Sequence, residues 1–342
     1  MVPISAKRTC RMASVVSLAT AIAYGMGTPL PHLAPILAIT LTAEPAPPPG
    51  LKGLLGLLIA VAVTLGTGLI LIPLLLNYPF SAVLIISLGL YTSTMISIKL
   101  DQKPVGVLFA IGLTMIPAAG MMDYSLGLSV IEGLLCAVTI AIISQWLVYP
   151  WLQENPNSIP AKTVMTVDQV RWLALRATLI VLPPVLLAFT NPLLYLATIL
   201  KSLALGQQGT EVSAREAGRE LLGSTALAGG MSVLFWFALQ TSPTLWFFTL
   251  WMILFTGYGA AKLYGVIAGR FTPSFWQNTL VTMLILLGPA VQDSANGKDV
   301  YQAFMMRFGL LIAVTLYAWL AIAALNWLRA RIQRQPVLIP TI

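Results

Sequence analysis

The chain alternates long apolar runs with short polar breaks along its whole length. Prolines, glycines and charged residues divide it into twelve such runs. The runs lie near residues 12–28, 30–43, 51–76, 78–98, 104–122, 125–149, 172–190, 192–206, 219–240, 243–264, 274–292 and 300–328. A helix of about 20 apolar residues crosses the hydrocarbon core of a bilayer. The pattern therefore predicts an all-α polytopic membrane protein with about twelve transmembrane helices.

Charged residues make up 9% of the chain and hydrophobic residues 58%, whereas a soluble domain has about 25% charged residues. The net charge of +8 does not predict a nucleic-acid partner, because the basic residues lie in short loops beside apolar runs. The sequence has no phosphate-binding loop and no zinc-protease motif, and His32 is its single histidine. We therefore expect no enzymatic activity, no cofactor and no metal site.

The basic residues fall almost entirely on one set of alternate loops, which predicts the orientation. They are Lys7, Arg8, Arg11, Lys52, Lys99, Lys103, Lys162, Arg171, Arg215, Arg219, Lys262, Arg270, Arg329, Arg331 and Arg334. The opposite loops carry Lys298 together with Asp123, Asp293 and Asp299. Lysine and arginine accumulate in cytoplasmic loops, so both termini are predicted to be cytoplasmic.

Spacings repeat between the two ends of the chain. Arg8 precedes Pro29 by twenty-one residues, and Arg171 precedes Pro192 by the same interval. Six runs in each half predict two parallel six-helix repeats, related by a pseudo-two-fold axis along the membrane normal. The predicted divisions are residues 1–150 for the first repeat, 151–171 for a cytoplasmic connector and 172–342 for the second repeat.

Three ionisable residues lie well inside predicted spans. Lys201 follows Pro192 by nine residues, roughly 14 Å along a helix, which places it near the middle of the membrane. It either binds an anionic substrate beside a cavity or extends its long side chain to the interface. Glu132 and Arg307 have similar depths in equivalent runs, so they are predicted to form an ion pair, either structural or involved in coupling.

Further candidate binding residues follow Lys201 along the chain. Its run ends at Gln207 and Gln208, where exposed backbone is expected to line a cavity. Arg219 opens the next run and is either an interfacial anchor or part of an anion entrance. The predicted substrate-binding set is therefore Lys201, Arg219, Gln207 and Gln208.

The sequence Arg219-Glu220-Leu221-Leu222-Gly223-Ser224, with a weaker counterpart in Lys52-Gly53-Leu54-Leu55-Gly56, resembles the fusaric acid resistance superfamily. The aromatic-acid exporter branch is similar, and the aluminium-activated malate channels are more distantly so. The large cytoplasmic domains typical of such exporters are absent from this sequence. The resemblance implies a bacterial inner-membrane permease that exports small, aromatic carboxylates. It also implies a proton-gradient drive and a periplasmic membrane-fusion adaptor as partner.

Two other functions fit the same pattern. A passive organic-anion channel is favoured by the likeness to malate channels, and a non-transporting membrane subunit could scaffold an adaptor complex. A homo-oligomer is compatible with each of the three. Accumulation against a gradient separates an exporter from a channel.

Overall fold

A computed structural model describes residues 3–43, 47–99, 103–153, 165–206, 214–297 and 299–333. In these ranges the chain forms twelve α-helices, one short 3-10 turn and no β-strand. The helices are α1 (Ile4–Gly25), α2 (Leu33–Ala43), α3 (Leu51–Asn77), α4 (Pro79–Lys99), α5 (Lys103–Gly120), α6 (Tyr124–Val148), α7 (Val167–Thr190), α8 (Pro192–Gly206), α9 (Ala214–Gln240), α10 (Leu245–Leu263), α11 (Pro273–Ala295) and α12 (Val300–Gln333). Each predicted apolar run coincides with one of them.

Seven of these helices are long and apolar enough to cross a membrane: α3, α4, α6, α7, α9, α11 and α12. Their number and composition are those of a multi-pass membrane protein, as the sequence predicts. The full count of twelve spans stays a prediction, because it includes several shorter or less apolar helices.

The helices α2 and α8 are much shorter than their neighbours. They have 11 and 15 residues, which corresponds to about 16 Å and 22 Å of helix at 1.5 Å per residue. The hydrocarbon core is about 30 Å thick, so neither helix crosses it alone. Both contribute to the buried core, with Ala38 and Ile39 of α2 and Ile199 of α8 at 0% exposure.

Close helix contacts depend on small residues at defined points. A Cβ added to Gly68 of α3 would lie 2.2 Å from the carbonyl oxygen of Gly112 in α5. One added to Gly112 would lie 2.6 Å from the carbonyl oxygen of Thr64. Glycine thus lets the backbones of α3 and α5 touch, which is how small residues act between membrane helices.

Contacts also join the first six helices to the last six. Helix α1 packs along α10, α4 packs along α7, and the short helices α2 and α8 contact α11 and α5 respectively. The core therefore mixes helices from both parts of the chain.

Polar side chains fix several helix starts. Thr166 and Gln169 form a reciprocal capping box at the start of α7. Asp123 caps α6 by accepting a hydrogen bond from the backbone N–H of Ser125. That bond lowers the pKa of the Asp123 carboxyl below its usual value.

Candidate functional site

Lys201 of α8 is fully buried, with 0% of its surface exposed. Its ammonium donates hydrogen bonds to Thr282 Oγ1 at 2.7 Å and to Asn278 Oδ1 at 3.2 Å, both on α11. The side chain therefore turns into the protein instead of extending to the membrane interface. The ammonium has no solvent-accessible surface, and the cavity predicted beside it stays a prediction because its expected lining at Gln207 and Gln208 lies outside the described residues.

The partners of Lys201 belong to a continuous polar network. Asn278 and Thr282 lie four residues apart and so share one face of α11, and Thr282 Oγ1 donates to the Asn278 carbonyl at 2.6 Å. Asn278 Nδ2 donates to Ser224 Oγ of α9 at 2.6 Å. We call Lys201, Asn278, Thr282 and Ser224 the Lys201 network; it connects α8, α11 and α9.

The Lys201 network places an ionisable lysine among neutral groups. Two of the three ammonium N–H donors have partners, and in the described part of the chain no carboxylate forms an ion pair with Lys201. Burying a charge without an opposite charge is costly, and buried charges are ordinarily paired. An anion that reached this position would neutralise the lysine and accept its third hydrogen bond.

Aromatic side chains lie next to the network. Phe275 is buried one helical turn before Asn278 on α11, and it stacks on Phe271 with ring centroids 4.1 Å apart. A Cβ added to Gly223, the neighbour of Ser224, would lie 3.2 Å from the Phe275 ring. An aromatic ring thus lies within one helical turn of the network, with one face covered by Phe271.

The structure gives Arg307 a different partner from the one predicted. Its guanidinium donates to Asp293 Oδ2 of α11 at 2.5 Å, whereas Glu132 is exposed on α6. Among the described residues Glu132 forms no ion pair. The predicted Glu132–Arg307 pair is therefore replaced by Asp293–Arg307, because α11 extends far enough to carry Asp293 into contact with α12.

The other predicted binding residues do not join the Lys201 network. Arg219 is exposed near the start of α9, about 7.5 Å along the helix axis before Ser224. Its neighbour Glu220 accepts hydrogen bonds from Thr272 and Ser274 at the start of α11. Gln207 and Gln208 lie outside the described residues.

The sequence did not single out Asn278, Thr282 or Ser224 as functional. Ser224 lay in the motif that carries the superfamily resemblance, without a role of its own. Asn278 offered a usable signal, because an amide inside an apolar run usually bonds to another helix. For metals, the described ranges contain no group of three or more His, Cys, Asp or Glu residues that could hold an ion.

The chain matches one known family model in its first part. A family described as a protein of unknown function, DUF2955, matches residues 8–148, which extend from α1 to the end of α6. The match covers less than half of the chain. No curated protein and no solved structure matches. No fusaric acid resistance family matches either, so that resemblance stays a prediction.

Proposed function

We propose that this protein is an inner-membrane permease that exports small organic carboxylates, with aromatic acids as the favoured substrates. The observation that carries the proposal is the buried ammonium of Lys201, which has hydroxyl and amide partners but no described carboxylate. Ionisable residues inside a membrane protein mark substrate or ion pathways more often than structural positions. A carboxylate substrate supplies the missing negative charge.

Helix α8 suits this role because it ends inside the span of a bilayer. A helix of 15 residues is shorter than the hydrocarbon core is thick, so the rest of that crossing is made by backbone outside α8. Non-helical backbone within a membrane must be buried in protein or line a cavity. Since Lys201 is enclosed, substrate access requires the contacts of α8 with α11 to open. Phe275 lies one helical turn from Asn278 and stacks on Phe271, so aromatic packing near the network supports the choice of aromatic acids.

The proposal includes two parallel six-helix repeats. Equivalent pairs recur in the two parts of the chain: α1 with α2 and α7 with α8, α3 with α5 and α9 with α11, α2 with α6 and α8 with α12. Contacts between the parts recur as well, α1 with α10 and α4 with α7. The family match that ends with α6 is also consistent with a division there.

The resemblance to the fusaric acid resistance superfamily is the reason why we propose export, a proton-gradient drive and a periplasmic adaptor. The distribution of basic residues supports cytoplasmic termini, and therefore a basic side that faces the substrate pool. Glu132 of α6 stays the candidate for proton coupling, now without Arg307 as its partner.

The test is transport by inverted membrane vesicles of Lys201→Met and a matched control, Lys262→Met. Lys262 is a half-buried lysine at the end of α10, and its ammonium donates to the Ala268 carbonyl at 2.8 Å. We expect Lys201→Met to reduce uptake of benzoate-type acids at least tenfold, while Lys262→Met transports normally. A panel of aromatic and aliphatic carboxylates defines the preference.

The outcomes separate the competing functions. Accumulation that collapses with a protonophore supports a coupled exporter, and flux that only equalises concentrations indicates a channel. Absence of flux in the wild-type protein, with an adaptor complex that still assembles, indicates a scaffold. Equal transport by the two lysine variants would remove Lys201 from the pathway.

A further inference from the structure

An amide faces Lys201 at a point where a carboxylate would complete an ion pair. Asn278 Oδ1 accepts a hydrogen bond from Lys201 Nζ at 3.2 Å, a distance at which a carboxylate oxygen forms a salt bridge. Asparagine and aspartate have nearly the same shape, and they differ in that the amide NH2 is replaced by an oxygen. An aspartate at this position would therefore give Lys201 a negatively charged partner within the protein. The amide provides an acceptor without that charge.

Ser224 determines which end of the Asn278 amide faces Lys201. Asn278 Nδ2 donates to Ser224 Oγ at 2.6 Å, and Ser224 Oγ donates to the Leu221 carbonyl at 3.0 Å. A hydroxyl has one hydrogen and two lone pairs, so Ser224 uses its hydrogen on its own helix and keeps a lone pair for the amide. The NH2 group thus points to α9 and the amide oxygen to Lys201. Both polar residues are buried, so water has little access to these bonds.

In the described part of α11, the carboxylate lies far from Lys201. Asp293 follows Thr282 by eleven residues, about 16 Å along the helix axis, and it is paired with Arg307. A carboxylate fixed beside Lys201 would be an intramolecular ligand, with an effective concentration of about a millimolar or more. It would therefore compete strongly with a free carboxylate. Because the acceptors here are an amide and a hydroxyl, the ammonium stays available to an anion from outside.

We propose that Asn278 makes the Lys201 network selective for carboxylate anions, because its amide binds the ammonium without neutralising it. Ser224 acts through Asn278 as a positioning residue. When a substrate carboxylate enters, one of its oxygens accepts the third N–H of Lys201. A hydrogen bond to a charged group is roughly twice as strong as a neutral one, so the anion is preferred over an uncharged molecule of the same shape. The inference rests on the proposed function, since it names what selects the substrates of the same site.

The test compares benzoate with benzamide, its uncharged analogue, on the purified full chain. Thermal unfolding in detergent measures how each compound raises the midpoint as its concentration increases, which gives the two affinities. The wild-type protein should prefer benzoate, and Asn278→Asp should reduce the ratio of the two affinities at least tenfold, since the new carboxylate occupies the ammonium. Without ligand, Asn278→Asp should unfold at a higher temperature than the wild-type protein, because it pairs a buried charge.

Two controls separate pairing with Lys201 from a general effect of charge. Gln277→Glu makes the same charge change at the neighbouring, half-buried residue of α11. Adjacent residues of a helix do not share a face, so the preference for benzoate should be retained. Lys201→Met/Asn278→Asp leaves the introduced carboxylate without its lysine, and this variant should unfold at a lower temperature than Lys201→Met.

The positioning role of Ser224 has its own readout. Ser224→Ala should lower the benzoate-to-benzamide ratio, because the amide is no longer held with its oxygen toward Lys201. In the Asn278→Asp background, where both ends of the side chain are oxygens, Ser224→Ala should have no further effect on the ratio. An equal effect in both backgrounds would mean that Ser224 acts independently of Asn278.

The remaining outcomes are distinct. A lower midpoint for Asn278→Asp, or a chain that no longer folds, would mean that Lys201 does not accept a carboxylate at this position and would overturn the inference. If the wild-type protein binds and transports carboxylates and Asn278→Asp keeps the same preference, the inference alone fails. If the wild-type protein neither binds nor transports them, the proposed function fails, and the role of Asn278 in selectivity is withdrawn with it.

Discussion

Arg307 of α12 donates to Asp293 of α11 across 2.5 Å, and the two side chains are only 18% and 9% exposed. Removing one partner of such a pair leaves a charge with little solvent, which typically costs about 3–5 kcal/mol. We expect Asp293→Asn and Arg307→Gln each to lower the midpoint of thermal unfolding in detergent markedly. Glu132 offers the control, because Glu132→Gln removes no ion pair among the described residues and should lower the unfolding midpoint far less than either substitution in the pair.

The exchanged variant Asp293→Arg/Arg307→Asp tests whether the charges act as a pair. It should recover part of the stability that either single substitution loses. A double variant no more stable than the worse single one would mean that the two residues contribute separately.

A second prediction concerns the hydroxyl that Lys201 uses. Thr282→Val keeps the side-chain shape but removes an acceptor from a buried ammonium, which should cost about 1–3 kcal/mol of stability. Thr114→Val is the matched control. Thr114 is fully buried on α5 and donates to the Ala110 carbonyl at 2.7 Å, as Thr282 donates to Asn278, but it has no lysine partner in the described structure.

The dependence on Lys201 is measured by a double-mutant cycle of Thr282→Val with Lys201→Met. In the Lys201→Met background the Thr282 hydroxyl has no ammonium to accept from, so Thr282→Val should cost little further stability. The stability loss of the double variant should therefore be smaller than the sum of the two single losses. Unfolding by heat and transport in vesicles are followed in the same preparations. Strict additivity in both measurements would contradict a functional contact between the two side chains.

The contact of α3 with α5 gives a third prediction. Gly68→Ala would place a methyl group 2.2 Å from the Gly112 carbonyl oxygen, and overpacking of this kind costs about 1–3 kcal/mol. Gly66, two residues earlier on the same helix, has no atom within 4 Å of the added Cβ. Gly66→Ala should therefore be neutral or slightly stabilising, and thermal unfolding compares the two alanines directly.

A fourth prediction concerns orientation. In a background with Cys10 and Cys136 replaced, cysteines at Asn77 and Asn296 should react with an impermeant maleimide from the periplasm. Cysteines at Gly50 and Arg270 should react only after the membrane is permeabilised. The prediction follows from the one-sided distribution of basic residues. External labelling at Gly50 would invalidate the predicted topology.

The sequence located the helices well because glycines, prolines and charges interrupt the apolar runs where the helices end. It also predicted the depth of Lys201 along α8 from helix geometry, but left open whether the side chain turns inward or extends to the interface. The sequence did not predict the hydrogen-bond partners of Lys201. Asn278 and Thr282 are 77 and 81 residues away in the chain, and the residue pattern of one helix does not indicate which helix packs against it.

The predicted Glu132–Arg307 ion pair was wrong because a helix boundary was placed too early. The predicted run ended at residue 292, whereas α11 continues to Ala295. Those three residues carry Asp293 from a presumed loop onto the last turn of a helix beside α12. A boundary error within the usual range was enough to hide the acid that Arg307 uses.

The contacts of α1 with α10 and of α4 with α7 also limit how the molecule can move. Two helices of each part, α1 and α4 in the first and α7 and α10 in the second, pack against the other part. A rigid-body rotation of one six-helix part against the other would therefore separate these packed surfaces. Motion that leaves those surfaces intact falls to α2 and α8, which are too short to anchor in both leaflets. In the proposed permease, the long helices would therefore form the fixed part, and α2 and α8 would be the helices that move.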